Sequence, residues 1–384
     1  MGKFYTVLGL MSGTSMDGVD ASIIKSDGNH QYSTILDKYF EYDKNIYQKL
    51  TNIRNKTLSQ KDLEIQSNEL NSIEREITLF HANAVNEILE EANVSIDFIG
   101  FHGQTIFHDS DKKISKQLGD GKLLSQLTKK IVVYDFRQND LRNGGEGAPL
   151  TPIFHNAMAN KINDEYKIGF PISFINIGGI SNITKTVNKK NILKNSIYAY
   201  DIGPGNCLID SWIRNNSKKK YDENGSIAKL GNTNSLILNQ ALENFKIESY
   251  NKSFDVKDFD ISFVKGLSLE DGASTLTDYS AALIAQGIKY ANGKDACGIT
   301  KWLVCGGGRK NKYLIDCIKK NEIDFLNVSI EEVDKYNVDG DFVESQAFAY
   351  LAIRSYLNLP ISYPHTTGCK IKSGCTGGVL VKNF

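Results

Sequence analysis

The sequence predicts an α/β protein of two lobes. Three observations predict it. Short apolar runs alternate with segments of helical spacing, Gly-rich polar turns stand where the apolar runs end, and 384 residues exceed what one ordinary domain needs.

The elements can be taken in chain order. Thr6 to Leu10 is an apolar run that ends in Met11-Ser12-Gly13-Thr14-Ser15-Met16-Asp17-Gly18, and strand-like residues resume from Val19 to Ile24. That pattern is a hairpin with a glycine turn. Leu70, Ile73, Ile77, Ala84, Ile88 and Leu89 recur at helical spacing and predict one amphipathic helix. Phe98 to Phe101 and Ile131 to Tyr134 read as strands that empty into His102-Gly103-Gln104-Thr105 and Asp135-Phe136-Arg137. The second half repeats the style. Ile172 to Ile177 runs through Gly178-Gly179 into a second hairpin, and Ile197 to Tyr200 ends in Asp201-Ile202-Gly203-Pro204-Gly205-Asn206. An apolar helix follows from Cys207 to Ile213. Trp302 to Cys305 ends in Gly306-Gly307-Gly308, Tyr313, Ile315 and Ile318 suggest the next helix, and a last helix fits Val343 to Leu357. Polar residues gathered at strand ends point to ligand there, because open α/β sheets bind at the carboxyl ends of their strands.

Composition narrows the function. Hydrophobic residues make up 41% of the chain, enough for a full core, while Lys+Arg and Asp+Glu both number 45. A balanced charge gives no field to draw the protein to nucleic acid or an anionic membrane, so neither is expected as a partner. No apolar run approaches the ~20 residues needed to span a bilayer, no secretory signal is read ahead of the first strand, and the expected location is the cytoplasm. None of Cys207, Cys297, Cys305, Cys317, Cys369 and Cys375 forms a C-x-x-C pair, so they are expected reduced and mostly buried.

A chain of phosphates needs several N–H donors converging with no side chain in the way, which glycine permits. Gly13 to Gly18 and Gly306 to Gly308 meet that need best. Asp17 and Asp20 add carboxylates of the kind that hold Mg2+ through water. Asp201, at a strand end and followed by Gly-Pro-Gly, suits a general base toward a hydroxyl or water. Capping of the helix that begins near Asn206 is an equal reading of it. His102 reads equally as a core histidine, and Arg137, Asp140 and Arg142 as a solvated loop. The P-loop, the G-x-G-x-x-G turn, the protein-kinase motifs and the G-x-S-x-G elbow are all absent.

Taken together, the turns resemble a known family. Gly9-Leu10-Met11-Ser12-Gly13-Thr14-Ser15-Met16-Asp17-Gly18-Val19-Asp20 is similar to the N-terminal signature of the anhydro-N-acetylmuramic acid kinases. His102-Gly103-Gln104-Thr105, Gln117-Leu118-Gly119-Asp120, Asp135-Phe136-Arg137, Gly147-Ala148-Pro149-Leu150 and Asn176-Ile177-Gly178-Gly179 continue it in order. So do Asp201-Ile202-Gly203-Pro204-Gly205-Asn206, Val304-Cys305-Gly306-Gly307-Gly308, Glu344 with Ala347-Phe348-Ala349, and Thr367-Gly368, so the resemblance spans nearly the whole chain.

The resemblance implies an actin-like (ribonuclease H-like) two-lobe sugar kinase fold with the active site in the interlobe cleft. One lobe is expected from residues 1–140 plus 345–384, and the second from 141–344. It implies ATP and Mg2+ as cofactors and a cell-wall anhydro-sugar as substrate, opened by water and phosphorylated on O6 in peptidoglycan recycling. Asp201 matches the family's general base. Gly13, Thr14, Ser15, Met16, Asp17, Gly18, Val19 and Asp20, with Gly306 and Gly307, match the nucleotide site, and His102, Gln104, Arg137 and Glu344 match positions expected to face the sugar. Met11 stands where many relatives in the wider superfamily carry an Asp, so no metal ligand is assigned. Ser345-Gln346 and Tyr363-Pro364-His365 also depart from the family's forms. A kinase for another 1,6-anhydro sugar such as levoglucosan and a non-catalytic actin-like ATPase are the alternatives, and a homodimer stays open.

Overall fold

The computed structural model describes residues 2–187, 197–245, 250, 253–293, 300–322 and 328–384. Two compact units emerge: Met1–Lys167 with Phe342–Phe384, and Ile168–Asp341. Segment 141–167 belongs to the first, where Phe154 of the helix Pro152–Tyr166 packs on the rings of Tyr32 and Tyr350 at centroid distances of 4.9 and 5.5 Å.

In the first unit β1 (Tyr5–Ser12), β2 (Gly18–Ser26) and β3 (Tyr32–Glu41) form an antiparallel meander. On the other side of β1 lies parallel β4 (Phe98–Asp109), which pairs antiparallel with β5 (Ile114–Leu118) and parallel with β6 (Ile131–Tyr134). A short strand near the chain's end, Val379–Val381, closes the row against β6. One face is covered by the helix Ser67–Ala92, whose Leu70, Ile73, Ile77, Val85 and Ile88 are all but fully buried against Leu8, Leu10, Ile99 and Phe101. Each such side chain contributes about 1.5–3 kcal/mol by leaving water.

The other face carries the helix Val343–Tyr356, and glycines decide how near it comes. A Cβ at Gly9 would lie 2.0 Å from the Ser345 carbonyl oxygen, and one at Gly100 2.3 Å from that of Phe348. Helix backbone therefore rests directly on strand backbone. Glu344 stands in the first turn of this helix.

The second unit pairs β7 (Ile172–Ile177), β8 (Ile180–Thr186) and β9 (Ile197–Pro204) antiparallel, with β10 (Thr300–Cys305) parallel to β7 and β11 (Val328–Glu332) parallel to β10. Its long helix, Leu269–Asn292, approaches closely through two glycines: a Cβ at Gly272 would meet the Trp212 ring at 2.3 Å, and one at Gly287 would meet Ile202 at 2.5 Å. The strand orders are the same in both units. β3-β2-β1-β4-β6 in the first answers to β9-β8-β7-β10-β11 in the second, with the same parallel and antiparallel pairings. A duplicated α/β sheet of this order is the architecture the resemblance implied.

Two boundaries differ from the sequence reading. His102 to Thr105 lie inside β4 and do not form a turn, because Gln104 to Asp109 pair with β5. Asp201 stands within β9, opposite Asn182 of β8, and the strand runs on to Pro204. Cys207, Cys305, Cys317, Cys369 and Cys375 are buried as expected, and Cys297 lies outside the described residues. No helix among the described residues is long and apolar enough to cross a membrane.

Candidate active site

In the first unit the turn between β1 and β2 is pinned from below. Met16 takes a left-handed φ of 59° and buries its side chain in the core at 1% exposure, while its N–H donates to the Gly13 carbonyl at 3.2 Å. Gln104 Nε2 donates to the Gly13 carbonyl at 2.9 Å and Arg54 donates to the Thr14 carbonyl at 2.8 Å. Ser15 Oγ donates to Asp17 Oδ1 at 2.5 Å. Thr14 and Ser15 are exposed, Gly13, Asp17 and Asp20 are half-buried, and Gly18 is buried. Val19 is fully buried, so it and Met16 can offer a ligand only backbone. Gln104 is itself buried: its Nε2 is spent on the turn, and its Oε1 has no partner among the described residues.

His102 and Arg137 come together, with fixed roles. Arg137 donates from Nε and a terminal nitrogen to His102 Nε2 at 3.1 and 2.9 Å, and from its other terminal nitrogen to the Gly147 carbonyl at 2.7 Å. Guanidinium only donates, so Nε2 is the acceptor and Nδ1 carries the proton, donating to the Gly103 carbonyl at 2.8 Å. Both ring nitrogens are thus engaged by protein. His102 sets the position of Arg137, and burial, then the Arg137 charge, holds it neutral well below the ordinary histidine pKa. The loop behind Arg137 is tied by Asp140, which is 1% exposed: its carboxylate accepts from Gly147 N–H at 2.8 Å, Ser362 Oγ at 2.5 Å and Thr367 Oγ1 at 2.7 Å. The solvated-loop reading fails for Asp140. Together with Cys369 and Cys375 it makes the metal-spaced cluster found among the described residues, but those three bonds already use both carboxylate oxygens.

His81 and His155 are buried in the first unit at 0% and 1% exposure, and burial lowers their pKa values to about 4 and about 3. A histidine depressed below its unfolded value of about 6.5 adds stability that is present above that value and is lost as pH falls toward the folded pKa. Between pH 7 and 5 each is expected to remove about 2 kcal/mol from the stability of the first unit. Urea midpoints measured at pH 7, 6 and 5 should fall steeply, and a flat profile would contradict neutral burial.

The second unit holds Asp201. It is 6% exposed, and its Oδ2 accepts the Phe254 N–H at 2.9 Å. The helix Cys207–Asn216 takes Asn206 as its N-cap and receives no side-chain cap, so capping does not explain Asp201. The turn after β9 is crossed by the β7–β8 hairpin: Gly205 and Asn206 donate to the carbonyls of Gly179 and Gly178, each at 2.9 Å. A Cβ on Gly205 would sit 2.3 Å from the Gly178 carbonyl oxygen, so this glycine is required by packing.

The Gly306 turn is locked by Arg309. That side chain, 5% exposed, donates to Asp334 at 2.7 and 2.9 Å, to Asp339 at 3.3 Å and to Asp341 at 2.5 Å, while Lys310 also pairs with Asp341. Gly306 N–H donates to the Gly340 carbonyl at 2.9 Å. Sequence reasoning missed this clamp, because its carboxylates lie 25 to 32 residues away from the arginine.

Three glycines in these turns are required by nothing in the protein. A Cβ at Gly307 would have no atom within 4 Å, one at Gly13 would have only Ser15 Oγ at 3.8 Å, and one at Gly178 only the Ile180 carbonyl oxygen at 3.5 Å. None has a left-handed φ. Each leaves bare backbone facing open space, the form a phosphate cradle takes.

A family model described as anhydro-N-acetylmuramic acid kinase matches residues 5–381. The protein of that name from Pelagibacter ubique (strain HTCC1062) is 55% identical, with 100% of each chain covered. Those from Agrobacterium fabrum and Brucella canis are each 37% identical, covering 100% and 98% of both chains.

Proposed function

The chain belongs to the anhydro-N-acetylmuramic acid kinase family, and from that premise we propose which residues carry the reaction: ATP, water and 1,6-anhydro-N-acetylmuramic acid give ADP and N-acetylmuramic acid 6-phosphate, in the recycling of cell wall in the cytoplasm. The observation that carries the residue assignment is the set of glycines at Gly13, Gly178 and Gly307, whose open Cβ positions fit a ligand and answer to no packing need.

ATP, with Mg2+ neutralising its phosphates, supplies the phosphoryl group. The segment Gly13 to Asp20 and the turn at Gly306-Gly307 hold it through backbone N–H groups, with the hydroxyls of Thr14 and Ser15 at the exposed tip. Asp201 acts as general base. Its carboxylate is held in orientation by the Phe254 N–H. It takes a proton from water as the water oxygen bonds to the anomeric carbon and the bond from that carbon to O6 breaks. O6 then accepts the phosphoryl group. Arg137, Gln104 and Glu344 are assigned to the sugar and its surroundings, with His102 acting through Arg137 and Gln104 through the Gly13 turn. Phosphoryl transfer asks chiefly for positioning and charge neutralisation, and these groups supply both.

Product analysis tests the reading. Incubation with Mg-ATP and the anhydro-sugar should give a product heavier than the sugar by one water and one phosphoryl group, phosphorylated on O6. A phosphorylated product with its anhydro bridge intact would overturn the role given to Asp201. Levoglucosan, run in parallel, should be turned over poorly.

A further inference from the structure

The sheet of the second unit carries a transverse row of residues at matched register: Cys305 of β10, Asn176 of β7, Asn182 of β8 and Asp201 of β9. Residues directly opposite in neighbouring strands point to the same face, with Cβ atoms about 4.5–5.5 Å apart in antiparallel pairs. Side-chain contacts follow the row at its first end, where Cys305 Sγ lies 3.8 Å from Asn176 Oδ1. A Cβ on Gly306 would lie 2.4 Å from that same oxygen, so Asn176 fills the space that this glycine leaves. The row therefore runs from the glycine turn to the base.

Asn182 stands between Asn176 and Asp201. Its Oδ1 is buried and has no hydrogen-bond partner among the described residues. An unmade bond at a buried polar atom costs about 1–3 kcal/mol, which a fold does not ordinarily tolerate without a reason. The strand pairing is also irregular here: β8 shifts register against β9 between Ser181 and Asn182, and such bulges re-aim side chains beside active sites. Other buried acceptors also lack a partner among the described residues, Gln104 Oε1 and Gln346 Oε1 among them, but Asn182 is the one that strand register sets opposite Asp201.

We propose that Asn182 is a further catalytic residue, whose carboxamide oxygen accepts the second O–H of the attacking water. A water deprotonated by Asp201 has two hydrogens. One passes to the Asp201 carboxylate as the new carbon–oxygen bond forms, and the other stays on the oxygen and becomes the anomeric hydroxyl. An acceptor opposite the base fixes that second hydrogen and so turns a lone pair of the water toward the anomeric carbon. This inference rests on the reaction proposed above.

Asn182→Ala should lower kcat on the order of 100-fold, with the KM for Mg-ATP and the thermal midpoint unchanged. Asn182→Asp sets a second carboxylate opposite Asp201, and the acid limb of its kcat profile should move up by about one pH unit, an effect a merely structural residue would not give. Wild-type kcat in Asn182→Ala would overturn the assignment, as would a loss of kcat that tracks a loss of thermal stability and of nucleotide affinity. Wild-type enzyme assayed beside the variants separates the two ideas. Turnover by wild type with a full-speed Asn182→Ala removes this inference alone, and no turnover by wild type removes the reaction and this inference together.

Discussion

Asp201→Asn should bind nucleotide as wild type does and lose turnover by about 10²–10⁴-fold, the range a positioned general base contributes. The substitution is nearly isosteric and keeps an acceptor oxygen for the Phe254 N–H, so the local structure should persist. What it removes is the ability to take a proton. The nucleotide turns lie elsewhere in sequence, at Gly13 to Asp20 and at Gly306-Gly307, and should not feel it. A nucleotide titration and an initial-rate assay on the same preparation check both halves. A structural role for Asp201 predicts the opposite pattern, a lowered thermal midpoint with turnover kept. Full activity in this variant would remove Asp201 as base.

Gly307→Ala should raise the KM for Mg-ATP at least ~10-fold while leaving the thermal midpoint near that of wild type. The added methyl group meets no protein atom within 4 Å and the backbone there is not left-handed, so the fold has no reason to object. Restricting the unfolded chain would even add a few tenths of a kcal/mol of stability. Only a ligand lying against the backbone would register the change. Gly308→Ala is the control. Its Cβ would fall 2.2 Å from Ile177 Cγ2, so that variant should be destabilised. An unchanged KM in Gly307→Ala would mean that phosphate does not approach this turn.

Much of the fold was legible because its strands are short apolar runs cut off by glycine, and both hairpins and the helix Val343–Tyr356 could be placed from that alone. The helix Leu269–Asn292 escaped. Its core positions hold Gly272, Ser274, Thr275, Thr277, Ser280 and Gly287 as well as Leu276, Leu283 and Ile284, so hydrophobic periodicity was diluted by small residues chosen for close approach. The extension of β4 past Phe101 was missed because pairing with β5 is a long-range fact about register.

The candidate site divides in the same way. The glycine turns stand out at the ends of apolar runs, while Asp201 read equally as a helix cap until Asn206 proved to be the N-cap of the helix Cys207–Asn216. Met16 and Val19 matched a motif, yet their side chains serve the core. His102 matched as a sugar contact, but its two ring nitrogens are taken by Gly103 and Arg137. Asn182 went unnoticed as a site residue because an asparagine after a hairpin reads as turn chemistry. Its importance appears only when the register sets it opposite Asp201.

The central claim is that this chain spends ATP on an anhydro-sugar, and the most direct test is ADP release by the purified protein with Mg-ATP, with and without 1,6-anhydro-N-acetylmuramic acid. The account predicts strong stimulation by the sugar, with one ADP formed for each ring-opened 6-phosphate. ADP release that ignores the sugar, from a protein that binds ATP, would contradict it.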